Sequence, residues 1–222
     1  MSDANIQQIL QVLSVALIPG ILAITLHEVA HGWVAKQLGD PTAYMLGRLT
    51  LNPLKHVDPL GTVIVPIAML VLSGGAMSFG WAKPVPVAFR NLRHPKRDMV
   101  LVAAAGPISN FLMATCWALL AAGLTFSGSE STVAQWLFNN CVFGMQINVI
   151  LAVFNLLPIP PLDGGRVLAG LLPRTGSNLL ERVEPFGLII VVVLMVSGAL
   201  WTIMSPLRYF FLKFYFNLAG LA

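Results

Sequence analysis

Residues His27, Glu28 and His31 stand in the order His-Glu-Val-Ala-His inside an unbroken run of apolar residues. On an α-helix, positions four apart project from one face about one turn apart, so both imidazoles can reach a single cation. Glu28 lies on the adjoining side, where its carboxylate reaches a water and not the cation. In this pattern a zinc ion lowers the pKa of water to about 7, and the carboxylate takes the proton as the water attacks a carbonyl. A charged group at membrane depth costs about 2.5–3.5 kcal/mol even on the lenient insertion scale, so ionisable residues there mark function.

Catalytic zinc sites usually have three protein ligands, and the pentapeptide supplies two. Among the remaining acidic residues, Asp163 combines apolar flanks with a break in helix geometry, at the end of Asn155-Leu-Leu-Pro-Ile-Pro-Pro-Leu-Asp163. Three prolines unwind this segment, and broken backbone is tolerated at membrane depth where it is buried in protein or lines a wet cavity. Asp163 is therefore read as the third ligand. The alternative is an N-cap for a helix starting at Gly164. His56 is read as a structural loop histidine, with an accessory-ligand role as the alternative, and His94 as a loop residue.

The elements that must position these groups are membrane helices. The chain of 222 residues is 57% hydrophobic and 10% charged, with a mean hydropathy of +0.80, whereas an ordinary soluble domain is roughly 25% charged. Apolar stretches cover residues 6–38, 60–79, 99–126, 133–157 and 185–205. They imply an all-α polytopic membrane protein, a bundle of about four to five membrane helices, in one domain over residues 1–222. The net charge of +4 comes from Lys and Arg scattered over loops, which reads as membrane topology and excludes a nucleic-acid partner. Cys116 and Cys141 lie in apolar stretches and are read as packing residues. The N-terminus lacks a basic n-region, so no cleaved signal peptide is expected.

Pro19-Gly20 is expected to kink the long first stretch. The second, residues 60–79, is flanked by basic residues on both sides, and a full crossing would export the densest basic loop of the chain. It is therefore expected to be re-entrant or partly inserted. Residues 99–126, 133–157 and 185–205 then cross outward, inward and outward, which puts Arg208 and Lys213 of the aromatic tail outside, against the charge rule; the alternative for this tail is an interfacial helix whose basic side chains snorkel. Asp163 and His31 can share an ion only if an even number of crossings separates them, which a re-entrant second stretch satisfies.

His-Glu-Val-Ala-His, Gly106-Pro107-Ile108-Ser109-Asn110 and Asn155-Leu-Leu-Pro-Ile-Pro-Pro-Leu-Asp163-Gly-Gly together resemble the site-2 protease family of intramembrane zinc metalloproteases, over roughly residues 20–170. The resemblance implies a three-helix catalytic core with one zinc ion per chain on His27, His31 and Asp163. It makes Glu28 the base and gives Asn155 the substrate carbonyl or its oxyanion. Gly106 and Asn110 look like packing and polar glue between helices. The resemblance further implies transmembrane protein substrates in a lipid bilayer, a prokaryotic cytoplasmic membrane with the active site toward the cytoplasm, and a short form without a PDZ or regulatory domain. A homo-oligomer is compatible with it. Lys83-Pro-Val-Pro-Val87 is an extended segment suited to pairing with unwound substrate as an added strand; the alternative is a proline-stiffened loop. The rival functions are a metal-binding transporter and a helix-capturing scaffold without proteolysis. Glu28 separates them, because neither needs a non-ligand carboxylate beside paired histidines.

Overall fold

The computed structural model describes residues 3–72 and 80–221, and the regular elements among them are all helical. α1 (Asp3–Gln37) carries the apolar span Leu10–Gln37, and it continues as one helix through Pro19, where a kink was expected. Its exposed leucines and isoleucines, among them Leu10, Leu13 and Leu17, form the face a bilayer would cover. A single turn, α2 (Thr42–Met45), follows. Residues Pro59–Ile64 form a wide π-helical turn capped by Asp58, whose Oδ1 accepts from Gly61 N at 2.7 Å, and this turn runs into α3 (Val65–Leu72). These residues are the described part of the second apolar stretch. Residues 73–79 of that stretch lie outside the described residues.

α4 (Pro95–Ser127) and α5 (Thr132–Asn155) are both long and apolar enough to cross a membrane. Ala114, Ala118 and Ala121 make a small-residue stripe on α4, and they are fully buried in one core with Cys141, Met145 and Val149 of α5. Small residues let helix backbones approach closely, which is how helices associate where lipid removes the hydrophobic drive. α1 packs on both α4 and α5, so these three form the core of the bundle.

Beyond α5 come α6 (Asp163–Leu171), α7 (Arg174–Val183), α8 (Gly187–Val196) and α9 (Ala199–Leu218). The stretch 185–205, expected as one crossing, is broken within its length. The chain turns by 82° between α8 and α9, at Gly198, whose φ is +76°. A side-chain-bearing residue pays about 1–2 kcal/mol in this left-handed conformation and glycine does not, so glycine sets the corner. The aromatic tail does not form a helix of its own. It is the second half of α9, and Tyr215 is buried, donating its hydroxyl to Phe111 O of α4 at 2.8 Å. By length and composition, the described residues hold three membrane-crossing helices, or four if the bent α7–α9 assembly makes one span.

Candidate active site

His27 and His31 sit one turn apart on α1, edge to face, with ring centroids 4.7 Å apart. Their Nε2 atoms are 3.1 Å apart. Asp163, the first residue of α6, brings its Oδ2 to 3.2 Å from His27 Nε2 and 3.3 Å from His31 Nε2. All three residues are buried. Leu162 holds the N-cap position of α6 and no side chain caps it, so the capping alternative for Asp163 is not realised.

α4 anchors each imidazole from behind. His31 Nδ1 lies 2.7 Å from Val102 O, and His27 Nδ1 lies 2.6 Å from Asn110 Oδ1. A carbonyl oxygen can only accept, so both Nδ1 atoms carry a proton and, in the neutral rings that bind metal, both Nε2 atoms keep a lone pair. Among the described residues, Asp163 Oδ2 has no hydrogen-bond donor. Three acceptor atoms thus face one another within 3.3 Å with no proton between them. In a buried site this is repulsive unless a cation lies among them. Two imidazole nitrogens and a carboxylate oxygen suit zinc, so the residues fit the ion. Residue 106 must also be glycine for α4 to come this close. A methyl group there would lie 2.6 Å from His27 Nε2 and closer still to His31 Nε2.

Glu28 is not part of this cluster. Its Oε2 accepts a hydrogen bond from Val85 N at 2.7 Å. Val85 belongs to a strap of residues 80–88 without regular structure that ends in a 3-10 turn, Phe89–Asn91. The strap is pinned along its length. Trp81 N donates to Gly61 O at 3.0 Å and Lys83 N to His56 O at 2.9 Å. Arg48 Nη2 donates to Lys83 O at 2.9 Å and to Pro84 O at 3.3 Å. Asp40, fully buried just past α1, accepts from Ala88 N at 2.7 Å, from Asn91 Nδ2 at 3.0 Å and from the backbone and hydroxyl of Thr42. Burial alone would push the Asp40 carboxyl up, but these hydrogen bonds outweigh it and hold the group below the usual carboxylate range.

Within the Lys83–Val87 segment expected to pair with unwound substrate, Lys83 and Val85 already spend their amides on His56 and Glu28, and the prolines between them have none.

A cavity of about 660 Å³ is lined by His27, Glu28, His31, Asp163, Asn155 and His56, among others. Asn155 closes α5 and faces this cavity without joining the cluster; its Nδ2 donates to Leu151 O at 3.0 Å. His56 is buried with its Nε2 3.0 Å from Thr50 O, and it stands outside the group formed by His27, His31 and Asp163. The accessory-ligand alternative is not realised, and its ring braces a loop. Sequence reasoning missed the role of Asn110, reading it as glue between helices. The signal was present, since Val102, Gly106 and Asn110 are spaced by four and so share the α4 face turned to the histidines. Asp40, read as part of a helix stop, gave no sign of its hold on the strap.

The chain is similar to known proteins over most of its length. The model of the family described as Peptidase family M50 matches residues 123–198. YwhC of Bacillus subtilis (strain 168), provisionally named a zinc metalloprotease, is 38% identical over 204 residues, covering 88% of each chain. Rip2 of Mycolicibacterium smegmatis, with the same provisional name, is 31% identical over 194 residues, 87% of this chain and 71% of Rip2. No solved structure matches the chain. On its length-spanning similarity to YwhC and its M50 match, the chain belongs to peptidase family M50, the site-2 protease family of zinc metalloproteases.

Proposed function

We propose that the chain is an intramembrane zinc protease that hydrolyses peptide bonds within or near transmembrane segments of membrane-protein substrates, as in regulated intramembrane proteolysis. One observation carries this reading. His27 Nε2, His31 Nε2 and Asp163 Oδ2 meet as unprotonated acceptors within 3.3 Å, in the cavity that also holds Glu28.

His27, His31 and Asp163 hold one zinc ion per chain. Zinc supplies Lewis acidity toward a carbonyl oxygen and brings the pKa of water to about 7. Glu28 takes the proton of the attacking water and delivers it to the leaving amine nitrogen. The Val85 amide fixes Oε2 of that carboxylate, so the proton is carried on Oε1. Asn155 turns its amide from Leu151 O to the substrate carbonyl, where a donor aimed at developing charge contributes about 3–4 kcal/mol. A helical substrate must unwind before it reacts, because its carbonyls are engaged in internal hydrogen bonds.

Basic residues gather in loops 39–59, 80–98 and 158–184, and the charge rule favours the cytoplasmic side for them and for the site they flank; the family resemblance implies a prokaryotic cytoplasmic membrane. Residues 1–222 act as one catalytic domain. The test compares native membranes carrying the intact chain or Glu28→Gln, by mass spectrometry of membrane-derived peptides and by metal analysis of the purified proteins. Fragments are expected with the intact chain alone, and zinc with both. Identical fragments from both membranes would refute the hydrolytic role of Glu28.

A further inference from the structure

We propose that Asn148, on α5, is a positioning residue for the metal centre, acting through Asn110 to keep His27 Nε2 turned toward the ion. The proposal rests on the reading of His27, His31 and Asp163 as zinc ligands.

Asn148 and Asn110 are both fully buried. Asn148 Nδ2 donates to Gly144 O of its own helix at 2.8 Å. A backbone carbonyl can only accept, so the other end of this amide must be its oxygen. That oxygen accepts from Asn110 Nδ2 at 2.9 Å. Asn110 Nδ2 has a second acceptor, Ala23 O of α1, at 3.2 Å. With its amine held by two acceptors, Asn110 turns its oxygen to His27 Nδ1 at 2.6 Å. Flipping either amide would set oxygen against oxygen in a dry interior, where an unsatisfied polar group is costly. The chain of bonds therefore has one direction, from a carbonyl of α5 to the proton on His27 Nδ1. That proton leaves the Nε2 lone pair facing Asp163.

The two histidines explain why a second asparagine is needed. His31 is oriented by a backbone oxygen, Val102 O, which has no alternative orientation. His27 is oriented by a side-chain amide, which does. Asn148 removes that alternative.

The test measures zinc affinity of the full chain in detergent, by competition with a chromophoric chelator, with metal-free melting temperatures as the check on folding. Outer partners of metal-binding histidines typically contribute 10–100-fold in metal affinity. Asn110→Leu is expected to lose that much. Asn148→Leu is expected to lose roughly 3–10-fold, because Ala23 O still holds part of the Asn110 amide. The double variant is expected to match Asn110→Leu alone, because Asn148 acts through Asn110. Asn148→Asp is expected to restore affinity to within about threefold, since a buried, protonated acid donates to Gly144 O and accepts from Asn110 as the amide does. An unchanged affinity for Asn148→Leu, multiplied losses in the double variant, or no rescue by Asn148→Asp overturns the proposal. If Asn148→Leu does not fold, the Asn148→Asp affinity decides the matter. His31→Ala tests the underlying reading in the same assay. Undiminished zinc binding there overturns the metal centre itself, whereas a loss there with an indifferent Asn148 overturns the positioning role alone.

Discussion

Gly106→Ala tests whether α4 shapes the metal chamber. The added methyl would lie 2.6 Å from His27 Nε2, whereas real Cβ atoms essentially never come under 3.0 Å, so the ring must retreat by at least 0.4 Å, the difference of those distances. His31 Nε2 is nearer still and must move as well. Metal–ligand distances tolerate about 0.2 Å, so the required shift is roughly double what the site can absorb. Overpacking in a tight interior costs about 1–3 kcal/mol, which corresponds to roughly 5–150-fold in affinity when metal binding bears the strain. Zinc affinity of Gly106→Ala is therefore expected to fall by roughly 5–150-fold in chelator competition, and the rise in melting temperature on adding zinc is expected to shrink. Gly123→Ala, on the same helix with nothing within 4 Å of the new methyl, is the control and is expected to bind zinc as the parent does. Wild-type affinity in Gly106→Ala would show that the imidazole nitrogens do not point into the space beside Gly106, and the chamber described above would be wrong.

Asp163→Ala removes one of three ligands and is expected to lower zinc affinity more than 100-fold, read by metal content after dialysis against a weak chelator. Val85→Pro deletes the amide that holds Glu28 Oε2; a hydrogen bond to a charged group contributes about 1.5–3 kcal/mol, so kcat on a model transmembrane substrate is expected to fall about tenfold or more at unchanged zinc content. Equal kcat would mean that this amide does not position the base. Asp40→Asn is expected to destabilise the fold by on the order of 2–3 kcal/mol at pH 7, since it weakens a buried carboxylate network. The folded Asp40 carboxyl lies below the unfolded value of about 3.9, so its stabilisation is complete above that pH and disappears as the pH falls through the folded value. Melting curves from pH 7 down to pH 3 are expected to show the gap between parent and variant closing in acid, and a constant gap would refute the assignment.

The sequence reads clearly where one residue type has one physical use. A glutamate and two histidines in an apolar helix have no cheap structural role, and an aspartate after three prolines is the acidic group the membrane argument leaves. The two histidines and the aspartate come together in the fold, and the glutamate lines the same cavity. Hydropathy also located α1, α4 and α5 to within a few residues at most boundaries. It did not show the bend within residues 185–205, because hydropathy records how long a segment stays apolar and not where it turns, and the corner at Gly198 lies within an otherwise apolar run. It also gave no sign of the long-range partners of Asn110, Asn148 and Asp40. Each of these polar residues has an ordinary local explanation, as helix glue or helix stop, and their partners lie 38–87 residues away in the chain.

The strap has a further consequence for how copies of the protein coexist. Between residues 83 and 86, two amides are turned inward to His56 and Glu28 and the other two positions are prolines. No amide in this stretch is left to donate outward. An exposed edge normally invites neighbouring chains to zip onto it, and natural proteins blunt such edges with proline. Crowded in a bilayer, neighbouring molecules find few donors on this stretch on which to build a sheet, which lowers the tendency of an extended segment lining the cavity to seed aggregation.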